Sequence, residues 1–240
     1  MFGYYFDPTY ILVAIGAILS MWASSRVSST FNKYSRVRGR SGMTGAQAAE
    51  RILQRAGIYD VRIEHISGNL TDHYDPSAKV LRLSDSVYDS PSVAAVGVAA
   101  HECGHAVQHN VGYTPLKLRS LLVPAANLGS RLGLPIVLLG LVLGLEFNLP
   151  GGGYFSLAQI GIWVFLFAVA FQVITLPVEF NASSRALKMM DECGIMGSDE
   201  ISDCRRVLGA AALTYVAAAA SSVLQLLRLV ILVNGRKRRD

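Results

Sequence analysis

From Pro8 to Ser25 the chain reads PTYILVAIGAILSMWASS, 18 positions without one charged side chain. A helix needs about 20 predominantly apolar residues to cross the hydrocarbon of a bilayer. Three more stretches repeat the pattern. Residues 121–145 are apolar apart from Arg131 and several glycines, and residues 157–178 follow the turn-forming Asn148-Leu149-Pro150-Gly151-Gly152-Gly153. The two read as a hairpin that leaves one side of a membrane and returns to it. The last run, 207–233, is long enough to cross but contains Arg228 and is followed by Arg236-Lys237-Arg238-Arg239. A fourth crossing would leave that basic tail opposite the other basic loop, so an intramembrane or interfacial helix that does not fully cross is the expectation here, with a spanning helix as the alternative. Its Ala-rich part, 210–220, has the small residues of close helix packing.

Charge placement sets the orientation. The chain is 52% hydrophobic and only 16% charged, against about 25% charged in an average soluble domain. Its net charge of +5 could suggest nucleic acid, but the basic residues flank apolar segments: Arg26, Lys33, Arg36, Arg38 and Arg40 follow the first. That is the pattern of juxtamembrane orientation signals, and nucleic acid is excluded as a partner. MFGYYFD lacks the basic start of a secretory signal, so 8–25 is expected to be an uncleaved anchor with the next loop in the cytoplasm. Arg131 suits a snorkelling role near an interface. Cys103, Cys193 and Cys204 form an odd set without CxxC spacing, which fits a reducing compartment rather than a disulfide framework.

Residues 26–118 are the main water-facing insert. Thr44 and Gln47 fit a capping box that opens a helix running to about Arg55, ended by Gly57. VRIEHISG (61–68) and KVLRLSD (79–85) alternate apolar and polar residues as half-buried strands do, with turn-rich TDHYDP between them. A small antiparallel sheet is expected. Ser90 and Pro91 then suggest an N-cap and first position for a helix over 91–110, whose first turns are apolar on every side.

Polar residues enter that buried helix abruptly as His101-Glu102-Cys103-Gly104-His105. Residues four apart share a helix face, about 5–6 Å from each other. Two imidazoles so placed can bind one zinc. Glu102 is rotated by about 100° from His101, beside the ligand face, where its carboxylate can take a proton from a water that zinc acidifies. The bland alternative is a pair of satisfied core histidines. Gly104 would let another backbone come close. His109 lies about 80° around and 12 Å along from His101, which suits a helix end better than ligation. Cys103 points off the metal face, and the metzincin extension is absent because Gln108 and Val111 stand at its positions.

A catalytic zinc wants a third protein ligand and an open position. Glu179, in LPVEFNASSRALKMMDE at the end of the third apolar run, is the candidate, although a carboxylate there could also be a solvated helix start. Ser183, one turn on, shares its face and could orient an imidazole.

With HECGH and LPVEFNASSRA in view, the chain resembles the YugP-like neutral zinc metallopeptidases, bacterial membrane proteins. The resemblance runs along nearly the whole chain, through LTDHYDPSAKVLRLS, VAAHECGHAVQH, PVEFNASSRAL and VLGAAALTYVAAA. The wider architecture looks like the HtpX-type gluzincins, whose third ligand lies in an E-x-x-A-D motif. Glu179 and Ala182 match that motif, while Ser183 stands where its Asp would be. The resemblance implies hydrolysis of peptide bonds in membrane or misfolded proteins, at the cytoplasmic face of a bacterial plasma membrane. Gluzincins commonly add a His, Tyr or Arg donor for the oxyanion, and His73, Tyr74, Arg185 and Tyr215 are candidates, Tyr215 and Arg185 foremost. Site-2-type proteases also carry HExxH, but within a spanning helix and with a later Asp-Gly motif that this chain lacks.

The expected architecture is a mainly α membrane protein of three or four membrane helices with a cytoplasmic α+β zincin-like catalytic domain. Its parts are an anchor (8–25), the polar domain (26–118), a hairpin (121–178), a third-ligand segment (179–206) and an apolar helix (207–233). The partners implied are protein or peptide substrates and the lipid bilayer. The rival reading is a non-catalytic adaptor with structural zinc. Either strand, 61–68 or 79–85, could offer an edge to an extended substrate.

Overall fold

The structure, a computed structural model, describes residues 7–148 and 154–237, with side chains as far as residue 235. Along the chain, helix α1 (Tyr10–Tyr34) and helix α2 (Gly45–Arg55) lead into strands β1 (Arg62–Ile66), β2 (His73–Asp75) and β3 (Val80–Ser84). Helices α3 (Val93–Asn110) and α4 (Thr114–Leu143) follow. A ribbon of β4 (Glu146–Asn148) and β5 (Tyr154–Ser156) then precedes α5 (Leu157–Glu192) and α6 (Ser198–Lys237). These elements form two compact units, one of residues 1–22, 118–175 and 215–240, the other of 23–117 and 176–214.

The first unit is built from apolar helical stretches. Four helices in the chain are long and apolar enough to cross a membrane, among the described residues: α1, α4, α5 and α6 as far as Gly235. In lipid, helices gain little from hiding apolar surface from one another, so small residues that allow backbone contact matter more. A Cβ on Gly140 of α4 would lie 2.2 Å from the Ala158 nitrogen of α5, and one on Gly129 would lie 2.5 Å from the Val164 carbonyl oxygen. Val137, Ala158, Leu229 and Val233 fill the centre.

Within this unit α6 runs antiparallel to α1. Ser221 Oγ donates to the Gly16 carbonyl at 2.9 Å, and Arg228 donates to Asp7 Oδ2 at 3.4 Å. The Arg228 guanidinium also lies over the Tyr10 ring at 4.1 Å. A guanidinium 7% exposed needs such partners, because an unpaired buried charge is costly. Arg228 is thus accommodated inside a continuous 40-residue helix, and the stretch 207–233, open from sequence between a spanning and an interfacial helix, lies in one whose length and composition suit a span. Arg131 is exposed on α4. The expected turn at 148–153 begins on β4, and its residues 149–153 lie outside the described residues, as do Arg238 and Arg239 of the basic tail.

The second unit packs α2, α3 and the ends of α5 and α6 around one apolar core with β3. Ala48, Ala49, Ile52 and Leu53 supply the α2 stripe, and Ala186, Met190, Cys204 and Leu208 supply the ends of α5 and α6. Thr44 forms the capping box with Gln47 as its spacing predicts, and Gly57 leaves the helix with φ 70°. The next cap corrects the sequence reading: Ser92, not Ser90, caps α3, accepting from the Ala95 N–H. The Ser-Pro-Ser sequence offers two serines, and the choice falls to the second because Ser92 is held extended by a bridge to Arg38.

The sheet is also corrected. It has the order β1-β3-β2, with β1 and β3 parallel and β2 antiparallel to β3. The segment read as one turn contains a strand, so the chain reverses twice and β3 returns in the direction of β1. The first reversal passes through Gly68 and Leu70 at positive φ, and Asp72 ties it to β3 by accepting from the Ser84 N–H at 2.7 Å. In the second, Asp75 Oδ1 accepts from the Ser77 and Ala78 N–H groups, a side-chain turn of the kind Asp favours. Val80, Leu81 and Leu83 are fully buried because β3 is the central strand.

Candidate metal centre

Helix α3 is the centre of the second unit. Val93, Ala94, Ala95, Ala99 and Ala100 are fully buried, which fixes its rotation before the polar residues begin. At Gly104 the α5 backbone presses on it: a Cβ there would lie 2.5 Å from the Ala182 carbonyl oxygen. The contact sets the face that carries His101 and His105 against the α5 face that carries Glu179 and Ser183. A Gly104→Ala substitution must push α5 away. We expect it to lower stability by about 1–3 kcal/mol and to weaken metal binding, read as thermal midpoint and zinc affinity. Unchanged values in both would contradict the close-approach role.

His101 Nε2 lies 3.3 Å from Glu179 Oε2, and His105 Nε2 lies 3.5 Å from the same oxygen. The three side chains place their donor atoms within 4.8 Å of one another and form a group able to hold a metal ion. Two ligands each about 2.0–2.2 Å from a tetrahedral zinc stand roughly 3.3–3.6 Å apart, so the His–Glu separations fit that ion. Two neutral imidazoles and one carboxylate are also a donor set that zinc favours. Glu179 is 2% exposed, which argues against a solvated helix start.

Both imidazoles are held from behind. His101 Nδ1 lies 3.1 Å from Ser183 Oγ, and His105 Nδ1 lies 3.0 Å from Gln108 Oε1. Ser183 therefore occupies the place considered for it from sequence. Gln108 and Asn181 were missed. Gln108 Nε2 donates to the Val178 carbonyl at 2.8 Å and to Asn181 Oδ1 at 2.9 Å. The available signal was a glutamine three residues after His105 on a buried helix, where it shares the histidine's face.

Glu102 stands beside this group and outside it. Its Oε2 accepts from the Tyr74 N–H of β2 at 3.0 Å. Burial pushes the Glu102 carboxyl above its ordinary pKa, and the neighbouring His101 and His105 offset part of that rise. For His105, burial works against the charge, but the hydrogen bond to Glu179 and the Glu102 and Glu179 charges outweigh it and raise the pKa.

Several of the remaining sequence candidates have partners of their own. Arg185 Nε donates to Asn181 Oδ1 at 2.8 Å, and its guanidinium lies 5.9 Å from the Tyr113 ring centre. Tyr215 lies on α6, within the first compact unit. His73 Nδ1 is 2.9 Å from the Thr71 carbonyl oxygen and its Nε2 is 3.3 Å from Arg82. The Tyr74 hydroxyl meets His109 Nδ1 at 2.9 Å, and Cys103 Sγ donates to the Ala49 carbonyl.

Comparison with known proteins agrees with these features. The family described as "putative neutral zinc metallopeptidase" matches residues 9–234. The "putative membrane protease YugP" of Bacillus subtilis (strain 168) is 48% identical over 229 residues, covering 95% of this chain and 98% of that one. No solved structure matches. With the family spanning the anchor, the HECGH helix, Glu179 and α6 alike, the chain belongs to this neutral zinc metallopeptidase family.

Proposed function

We propose that the protein is a membrane-embedded, zinc-dependent endopeptidase in which His101, His105 and Glu179 hold the metal and Glu102 is the general base. One observation carries the reading: three donors converge on a point beside which Glu102 stands without joining them. Bound there, zinc supplies Lewis acidity that acidifies water and polarises a peptide carbonyl. Glu102 takes the proton from the attacking water and later delivers it to the leaving amine.

The sheet supplies a place for substrate. β3 lies between β1 and β2 and offers no edge, whereas β2 is an edge strand next to Glu102. An extended peptide would pair with β2, so that its scissile bond reaches the metal by backbone recognition. Membrane or misfolded proteins, with unpaired backbone to offer, are the substrate class we infer. The basic run from Arg26 to Arg40 supports a site on the cytoplasmic side of a bacterial plasma membrane. The adaptor reading asks for a fourth protein ligand, and its two candidates, His109 and Cys103, bond to Tyr74 and Ala49 instead.

The purified protein in detergent should cleave an unfolded protein such as casein. A strong chelator should abolish the cleavage and added zinc should restore it. Cleavage that persists in metal-free protein would remove the proposal.

A further inference from the structure

Gln108 is fully buried, and its amide can sit only one way round. Its neighbours on α5 are the Val178 carbonyl oxygen and Asn181 Oδ1, at 2.8 and 2.9 Å. A backbone carbonyl can only accept, so the Gln108 NH₂ must face α5. The Asn181 oxygen is itself identified by Arg185, a group with donors alone, whose Nε points at it from 2.8 Å. Turning the Gln108 amide over would set an oxygen against two acceptors. Its Oε1 is therefore left facing His105 Nδ1 at 3.0 Å, and an amide oxygen can only accept there.

The other histidine has no such constraint. His101 Nδ1 meets the Ser183 hydroxyl at 3.1 Å, and a hydroxyl can donate or accept by rotating. Glu179 Oε2 stands 3.5 Å from His105 Nε2, so once a metal takes that nitrogen, Gln108 leaves Nδ1 as the place for the His105 proton.

We propose that Gln108, locked by Val178, Asn181 and Arg185, is a positioning residue that keeps the proton of neutral His105 on Nδ1 and so presents the Nε2 lone pair to the metal. This rests on the zinc reading, because without metal the Glu179 carboxylate competes for the proton from the Nε2 side. Partners of this kind behind a ligand typically change metal affinity by about 10–100-fold. The arrangement also gives Arg185 a task at the far end of the chain of bonds, distinct from donating to an oxyanion.

The test uses full-length protein in detergent with ¹⁵N-labelled histidine, loaded with zinc. Two-bond proton–nitrogen spectra should show His105 protonated on Nδ1 and bound to the metal through Nε2. Gln108→Met should bind zinc about 10–100-fold more weakly. Gln108→Glu still offers His105 an acceptor but cannot donate to α5, so it should hold zinc more tightly than Gln108→Met, which a purely structural role for Gln108 would not allow. A wild type that binds no zinc would retire the metal reading and this proposal with it. Zinc bound with the His105 proton on Nε2, or a Gln108→Met protein with unchanged zinc affinity, would overturn this proposal and leave the metal reading standing. The wild-type spectrum decides even if a variant does not fold.

Discussion

Replacing Glu102 with glutamine should abolish peptide hydrolysis while the protein keeps its zinc. Positioned proton transfer contributes about 10²–10⁴-fold to rate, or roughly 3–5 kcal/mol of barrier, and an amide cannot take the proton. The substitution is otherwise mild. A glutamine oxygen can still accept from the Tyr74 N–H, so the contact between α3 and β2 survives. The metal should survive as well, because the three converging donors do not include residue 102. Turnover on casein beside zinc content per chain checks both halves. A Glu102→Gln protein that cleaves at the wild-type rate would remove Glu102 as the general base. One that loses zinc would mean that Glu102 is a ligand.

Glu179→Ala should produce the complementary failure. Glu179 is the oxygen that both histidines face, at 3.3 and 3.5 Å, and it is almost wholly buried. Removing a ligand should cost more than the roughly 10–100-fold lost with a partner behind one. Glu102 and β2 remain in place, so activity should fall with zinc occupancy and recover in part at high zinc. Titration of activity against free zinc checks this: a rightward shift is expected for Glu179→Ala and none for Glu102→Gln. Wild-type zinc affinity in Glu179→Ala would dismantle the three-ligand site.

The two variants test residues of different legibility. His101, Glu102 and His105 could be read from spacing, because a helix places residues four apart on one face whatever surrounds it. The same locality made the Thr44 capping box legible. Glu179 is 74 positions beyond His105, and only its place at the end of an apolar run, together with the family resemblance, suggested it. Arg185 shows the limit. A cation near the site is a candidate oxyanion donor from sequence, and what the spacing does not show is the bond from its Nε to Asn181.

Other differences share one cause, competition between local options that are nearly equal. Ser90 and Ser92 can both cap a helix, and the bridge to Arg38 selects Ser92. Alternating apolar residues announce strands without announcing their partners, so the turn-rich spacing hides the HYD strand and suggests an antiparallel pair where β1 and β3 are parallel. Arg228 counts against a membrane helix on composition alone, and Asp7 and Tyr10 supply the partners that let the helix hold it.

By itself, then, the sequence determined the apolar helices, the HExxH face and the acid that stands beside it. Each depends on periodicity within one element, which a chain carries in its own order. Tertiary structure decided that β2 is the edge next to Glu102, that Ser183 and Gln108 back the two histidines, and that Glu179 joins them. Those outcomes depend on which backbones can touch, and the approach of α5 to Gly104 is not written in the spacing of either helix.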